Sequence, residues 1–553
     1  MGEKKKKSRA ESTPSPTTNP SVFLNETLRW GLLSVGLLWL SFPPVNLWLL
    51  AWIAPIGWIR IIRNPEIASG RPLRCFYLIG FVHWLAMTYW VTLPHWLAAV
   101  GWLFLAGYLA IFVVGFLWLA RWLVHRNQIA AIFAVPLAWT TMEVLRTHLF
   151  TGFGLVPLSH SQVDFLSLIQ IASVTGAYGV SFVVIMCATV IDEWIAHFRS
   201  PENSPRKYWP TVVATLVLLA CVTFGYFQLH NEPETTGTAT VAIVQGSLDT
   251  VFDDNSQQRE QAFADYERMS GDVTSKRKID LVIWPESMFA DSKRIIGITK
   301  YDPELGKEKM FADGTTIEEW ASLRDITAMR LIRAYGTKCL MGTGTEYIHA
   351  TSVDSYNTAA FYDGNGVLLD SYYKMHPVMF GEYLPLGSWM PWLYRLAPIG
   401  SGLTPGTEPK SFPVRDIEIS PCICFENTVP HLIRKQISDL QRQGASPQAM
   451  ATLTNDGWFW GSALLDLHLA CGIYRAVENR RPMLIAANTG ISAHIDECGR
   501  VLEQAPKRKS RVLVANVEGR ELSSLYTQFG DWLFGFGCVL LSAIGIVVGK
   551  WFS

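Results

Sequence analysis

Apolar residues fall in two blocks of this chain, and that distribution decides what it can fold into. Residues 26–229 read as a series of apolar segments, many close to the roughly 20 residues that a helix needs to cross a bilayer, and one more closes the chain near 531–551. Between them, residues 235–525 have the mix of an ordinary globular domain. The chain as a whole is 49% hydrophobic and 17% charged, against about a quarter charged in soluble domains. A single soluble globule is therefore excluded, and a membrane part joined to a soluble domain is expected.

The apolar segments lie near 26–42, 45–62, 73–93, 96–123, 128–148, 165–195 and 210–229, with the last near 531–551. Pro43-Pro44 splits the first pair, which also reads as a re-entrant pair because both segments are short. Loop charge orients them, since cytoplasmic loops collect Lys and Arg. Lys4 to Lys7 precede the first segment. Arg60, Arg63, Arg71 and Arg74 follow the second, Arg121 and Arg126 the fourth, and Arg199, Arg206 and Lys207 the sixth. The alternate loops are nearly bare, with Arg146 alone in the fifth. This places both termini in the cytoplasm and residues 235–525 outside, in the periplasm of a bacterium with two membranes. Four parts are expected: a disordered basic tail over 1–24, a membrane domain of about seven helices over 25–230, a catalytic domain over 235–525 and a C-terminal transmembrane helix over 530–553.

Forty-seven basic and 47 acidic residues cancel and leave no basic face for nucleic acid. Nine cysteines without paired spacing do not form a disulfide framework, no C-x-x-C pair suggests zinc, and no Gly-rich phosphate loop follows a strand. In the outer domain, strand-like runs at 239–244, 281–284, 339–342, 357–362, 368–373, 417–423, 451–454, 483–487, 493–496 and 512–517 interleave with helical patterns near 256–274, 317–335, 428–443 and 461–479. Strands alternating with helices predict a layered α/β domain.

Three residues stand just past strand ends: Glu286 in Trp284-Pro285-Glu286, Lys374 in Tyr372-Tyr373-Lys374, and Cys424 in Cys424-Phe425-Glu426. Taken alone, each has a plainer reading, as a solvated carboxylate, a surface lysine and a small buried hydrophobe. Converging, they form a general base, a cation beside thiolate and oxyanion, and a nucleophile suited to acyl transfer through a thioester. Cys422, inside the strand, is expected in the core.

These segments, in this order and spacing, resemble the nitrilase (carbon–nitrogen hydrolase) superfamily. With the flanking helices and the phrases Val244-Gln245-Gly246, Tyr356-Asn357-Thr358-Ala359, Phe380-Gly381-Glu382-Tyr383, Thr454-Asn455-Asp456-Gly457-Trp458-Phe459 and Arg475-Ala476-Val477-Glu478, they resemble its apolipoprotein N-acyltransferase family. The resemblance implies a multi-span α-helical membrane domain plus an α/β nitrilase-like αββα sandwich, with Glu286, Lys374 and Cys424 as catalytic triad. It implies an acyl chain taken from a membrane phospholipid onto Cys424 and passed to the N-terminal amine of a diacylglyceryl-cysteine on an apolipoprotein, in a monomer integral to the inner membrane, with no metal or organic cofactor. It further implies Glu382 as an essential glutamate orienting Lys374 or moving protons, Phe425 as an oxyanion N–H donor where Tyr is frequent, and Glu426 as a scaffold for the turn.

Trp389, Trp392 and Trp458 are expected to form lipid-entry arms, because Trp favours the headgroup zone. Glu143 and Arg146 are candidates to meet headgroups or to pair with each other. Residues 245–254 carry Phe252 where the family often has Trp, and 291–315 is longer and more charged than an active-site loop requires. The rival readings are a membrane-bound nitrilase-type amidase and an inactive scaffold for another envelope enzyme.

Overall fold

The structure is a computed structural model that describes residues 20–67, 71–199, 208–231, 233–249, 256–290, 296–309, 314–387, 389–396 and 402–551. Most of the expected basic tail, residues 250–254 of the altered loop, and Arg206 and Lys207 lie outside the described residues. The first helix, Pro20–Ser41, begins inside the stretch expected to be tail.

The helical part contains Pro20–Ser41, Pro72–Met87, Ala98–Arg121, Ala131–His148, Ala177–Arg199 and Trp209–His230, and Gly535–Trp551 closes the chain. Among the described residues, four helical stretches are long and apolar enough to cross a membrane: Ala98–Arg126, Ala177–Arg199, Trp209–His230 and Leu525–Lys550. They differ in surroundings. The most apolar window of Ala177–Arg199 is 61% buried, and that of Trp209–His230 only 11%. The latter leaves Val212, Leu216, Leu219 and Phe227 exposed, as expected for a helix whose solvent is lipid.

The expected span at 45–62 is not one helix. It consists of a 3-10 turn, Trp48–Trp52, and an eight-residue helix, Ile56–Arg63, only about 12 Å long. Pro43, Pro44 and Pro55 lack the N–H that a continuous helix needs. The segment still runs back along the first helix, where Trp58 Nε1 donates to Gly31 O at 3.1 Å. The expected span at 165–195 likewise starts as two single turns, Leu166–Ile169 and Ala172–Thr175, and becomes continuous only after Gly176, whose φ of 66° breaks the ladder.

The remaining domain is built from thirteen strands: β1 (Gly237–Gln245), β2 (Leu281–Trp284), β3 (Ile298–Tyr301), β4 (Lys338–Ile348), β5 (Val353–Tyr362), β6 (Leu368–Tyr373), β7 (Phe412–Val414), β8 (Ile417–Ile423), β9 (Ala449–Thr454), β10 (Met483–Ala487), β11 (Ala493–Ile495), β12 (Val501–Gln504) and β13 (Arg511–Gly519). They form two sheets, in the orders β13-β1-β2-β4-β5-β6, with β3 on β4, and β12-β11-β10-β9-β8-β7. β1, β2 and β4 are parallel neighbours, and so are β8, β9 and β10. The inner faces meet through Val241, Ile243, Ile283, Leu340 and Phe361 from the first sheet and Ile419, Ile423, Leu453 and Leu484 from the second.

Helices Ser256–Lys276 and Ile317–Arg333 cover the first sheet through Phe263, Tyr266, Ala328 and Ile332. Helices Pro430–Arg442 and Leu464–Asn479 cover the second. The result is a four-layer αββα sandwich. Its second helical layer is continuous with the membrane part: Cys422, Met450, Ile485, Leu467, Tyr474 and Val477 belong to the same buried cluster as Leu158, Ile169, Ala177 and Val180. β3, β7 and β12 were not legible in the sequence. β3 falls in the charged 291–315 stretch and packs as an edge extension on β4.

Candidate active site

The site lies where parallel strands end, the position at which open α/β sheets present functional groups. β2 ends at Trp284 and leads through Pro285 to Glu286. β6 ends at Tyr373 beside Lys374, β8 at Ile423 beside Cys424, and β9 at Thr454 beside Asn455. The turn carrying Glu286 lies tight on β4. A Cβ at Gly342 would come within 2.6 Å of Glu286 Cα, so only glycine fits there.

Glu286 is buried and its carboxylate is fully engaged. Oε1 accepts from Asn357 Nδ2 at 2.7 Å and from Lys374 Nζ at 3.3 Å, and Oε2 accepts from Asn455 N at 2.9 Å. Lys374 is 1% exposed and also donates to Glu382 Oε1 at 2.7 Å. Glu382 Oε2 in turn accepts from Val378 N at 2.7 Å. Burial pulls the Lys374 ammonium down, but the Glu286 and Glu382 carboxylates outweigh it and hold the group well above the ordinary lysine range. Lys374 is thus a fixed cation.

Cys424 opens a 3-10 turn, Cys424–Thr428. Strand alternation would put it on the same face as Cys422, among the residues packed toward the membrane helices. Its φ of 52°, unusual for a non-glycine residue, breaks that alternation. Cys424 packs instead against the core between the sheets. Burial, and then the Glu286 carboxylate, push its thiol well above the usual range, with Lys374 opposing. The resting sulfur is therefore protonated, and attack by it needs a base. Cys422 is 2% exposed, its Sγ lies 3.1 Å from Thr452 Oγ1, and burial raises its thiol to about 12. The two cysteines, two residues apart, occupy different surroundings.

Glu426 shapes the turn. Its Oε1 accepts from Met375 N at 2.7 Å and His376 N at 3.0 Å, its Oε2 accepts from Ile423 N at 2.7 Å, and Tyr372 OH donates to both. One buried carboxylate therefore ties the Lys374 segment to the Cys424 segment. Phe425 stacks on His376 with ring centroids 6.0 Å apart. His376 Nε2 reaches Thr151 O at 2.9 Å, on a loop of the helical part.

Sequence reasoning did not assign roles to Asn357, Asn455 and His468. The first two stand in phrases that carry the family resemblance, which was the available signal. His468 had none: it lies within helix Leu464–Asn479, with Nδ1 3.0 Å from Asp456 Oδ1 and Nε2 3.1 Å from the Cys424 carbonyl.

The aromatic segments differ from one another. Trp389 is 85% exposed and Trp392 54%, close to exposed Phe380 and Leu386. Trp458 is only half-exposed, and its neighbour Phe459 packs edge-on against Trp90 of the helical part. Trp460 is the exposed member of that group. Glu143 and Arg146 are both buried and do not reach a headgroup surface. Glu143 Oε1 accepts from Trp139 Nε1 and Leu158 N, and Arg146 donates to Leu155 O and lies over the Trp84 ring.

An αββα sandwich with a carboxylate, a lysine and a cysteine at adjoining strand ends has the architecture of a carbon–nitrogen hydrolase. The carbon–nitrogen hydrolase domain matches residues 240–525, and the N-terminal domain of apolipoprotein N-acyltransferase matches residues 34–190. The apolipoprotein N-acyltransferase of Rhodopirellula baltica is 30% identical over 557 residues, covering 93% of this chain and 96% of that protein. That of Geobacter metallireducens is 30% identical over 533 residues, with 93% of each covered. The chain belongs to the apolipoprotein N-acyltransferase family.

Proposed function

We propose that this enzyme N-acylates apolipoproteins at the outer surface of the bacterial inner membrane through a thioester on Cys424. Glu286 takes the thiol proton, and the sulfur attacks an ester carbonyl of a membrane phospholipid. Lys374 and the Phe425 N–H hold the oxyanion, and the lysophospholipid leaves with the proton from Glu286. The N-terminal amine of a diacylglyceryl-cysteine then attacks the thioester, Glu286 receives its proton, and the thiol is restored. Glu382 keeps Lys374 charged and in place. Trp389 and Trp392, with Trp458 and Trp460 on the second aromatic segment, form the lipid approach, and the chain acts as a monomer.

The observation that carries this reading is the Glu286–Lys374–Glu382 chain of contacts at 3.3 and 2.7 Å beside a cysteine that leaves its strand at φ 52°. The division into 25–230, 235–525 and 530–553 is supported by the four membrane-length helices, three before the sandwich and one after it. The orientation is supported by cationic loop ends that meet on one side. Arg60 and Arg63 bind Asp192, Arg121 donates to Ile61 O, and Arg126 donates to Gly549 O.

Incubation with labelled phospholipid tests the chemistry. A hydroxylamine-sensitive acyl-enzyme is expected, lost in Cys424→Ala and retained in Cys422→Ala. The reverse pattern overturns the assignment, and release of ammonia from simple amides in place of acyl transfer favours a hydrolase. A thiol reagent unable to cross the inner membrane should label an engineered cysteine at Asp363 in intact spheroplasts. Labelling only after lysis reverses the orientation.

A further inference from the structure

Away from Cys424, three segments distant in sequence meet at one point. His148 ends helix Ala131–His148, His431 lies in the first turn of helix Pro430–Arg442, and Asp531 sits in the turn Gly530–Trp532 that leads into the last helix. His148 Nε2 lies 3.0 Å from Asp531 Oδ2, and the two imidazoles stack with centroids 4.4 Å apart. One donor atom from each residue falls within 4.8 Å of the others.

The protons are arranged for coordination. His148 Nδ1 faces Val144 O at 2.9 Å. A carbonyl only accepts, so Nδ1 carries the hydrogen, and Nε2 is the ring nitrogen turned to the carboxylate. Tyr526 OH donates to Asp531 Oδ1 at 2.7 Å, which fixes the carboxylate with Oδ2 toward the histidines. Asp531 is 4% exposed, and among the described residues its Oδ2 has no hydrogen-bond partner apart from the approach of His148, while His431 Nδ1 is buried with none. At 3.0 Å from a carboxylate oxygen, Nε2 needs positive charge between them, supplied either by a proton on the ring or by a metal ion; only a metal ion would also engage the unpartnered His431 Nδ1. The outer hydrogen bonds, a backbone carbonyl on one ligand and a tyrosine on another, are those that orient metal-binding side chains.

We propose that His148 Nε2, His431 Nδ1 and Asp531 Oδ2 bind a divalent transition cation of the zinc class. Zinc holds N and O ligands at about 2.0–2.1 Å, which places tetrahedral neighbours about 3.3 Å apart. The 3.0 Å pair is near that spacing, and the wider ones close on binding. Water takes the fourth position, because the His148 side chain is 22% exposed. The role is structural. The ion joins helix Ala131–His148 of the membrane part, the catalytic domain and the C-terminal helix. It does so beside the nucleophile turn, where Gly154 lies so close to Thr428 O that a Cβ there would clash. No sequence motif announces it, because each ligand comes from a different segment.

The test uses the full chain purified in detergent without a polyhistidine tag. About one equivalent of zinc should survive desalting. Cobalt replacing it should show the intense visible absorption of a tetrahedral site, and chelator should lower the melting temperature. His431→Gln and Asp531→Asn should each weaken cobalt binding more than about tenfold and abolish the chelator effect. A wild-type chain that retains no zinc, gives no tetrahedral cobalt spectrum and melts alike with and without chelator contains only a His148–Asp531 ion pair, and the proposal fails. It fails equally if both variants bind cobalt as the wild type does. The wild-type measurements decide the matter even if a variant does not fold.

Discussion

The two outer helical layers of the sandwich have different surroundings, and their sequences show it. Helix Ile317–Arg333 turns Leu323, Ile326, Arg330 and Arg333 outward and buries one stripe. Helix Leu464–Asn479 is buried on nearly every side, between the second sheet and the membrane helices. Arg475 and Glu478 on that helix are 1% and 0% exposed and 2.7 Å apart. One layer can absorb substitutions. The other transmits the position of the membrane part to the turn that carries Cys424, because His468 on the same helix holds the Cys424 carbonyl.

The largest expected difference between the layers comes from charge. Arg475→Ala leaves Glu478 buried without its partner and should cost about 3–5 kcal/mol, while Arg330→Ala, on the exposed layer, should stay within about 0.5 kcal/mol. Unfolding in detergent measures both. Equal small effects would show that the second layer is not clamped between sheet and membrane. A core truncation is expected to follow the same pattern with a smaller change: Leu467→Ala should cost about 2–5 kcal/mol, and Leu323→Ala, at 43% exposure, should be near neutral. If Leu467→Ala is also neutral, the junction has room to collapse.

This asymmetry was only partly legible in the sequence. Strand ends at Trp284, Tyr373 and Ile423 could be read because apolar runs stop sharply at Pro285, Lys374 and the Cys424 turn. The second helical layer could be placed, but not its burial, since that depends on helices more than 270 residues earlier in the chain, as in the contact of Tyr474 OH with Ser159 O (2.7 Å, 315 residues apart). β7 and β12 went unread because Phe412-Pro413-Val414 and Val501-Leu502-Glu503-Gln504 lack the continuous apolar run that marks the equally short β2. The second apolar segment read as a span because hydropathy does not register what Pro43, Pro44 and Pro55 remove from a helix. For Glu143 and Arg146 the sequence offers headgroup contact or mutual pairing, and not the partners found, Leu158 N, Leu155 O and the Trp84 ring, because those are set by tertiary packing.

The exposed aromatic arm sharpens the contrast, because its apolar surface has no protein cover. Replacing both Trp389 and Trp392 by Ser should lower acyl-enzyme formation from vesicle phospholipid about tenfold, about 1.4 kcal/mol, and leave the melting temperature unchanged. A lowered melting temperature would mean that the arm packs on the protein rather than meeting lipid. An unchanged rate would remove the arm from the lipid path.

His468 gives the smallest effect and the one that reports on the membrane-side layer through pH. Burial pushes its imidazolium down, but Asp456 at 3.0 Å outweighs it, and the pKa is raised above 6.5. In the folded state the ring thus holds its proton at pH values where the unfolded chain has lost it. That contribution to stability is complete below about pH 6.5 and disappears as pH rises through the folded-state value. His468→Gln, which retains one of the two hydrogen bonds, should destabilise by about 1 kcal/mol at pH 6 and progressively less at higher pH. A gap constant with pH would mean that the ring is neutral when it holds the Cys424 carbonyl. The helix would then position Cys424 by packing alone, without a charge shared between His468 and Asp456.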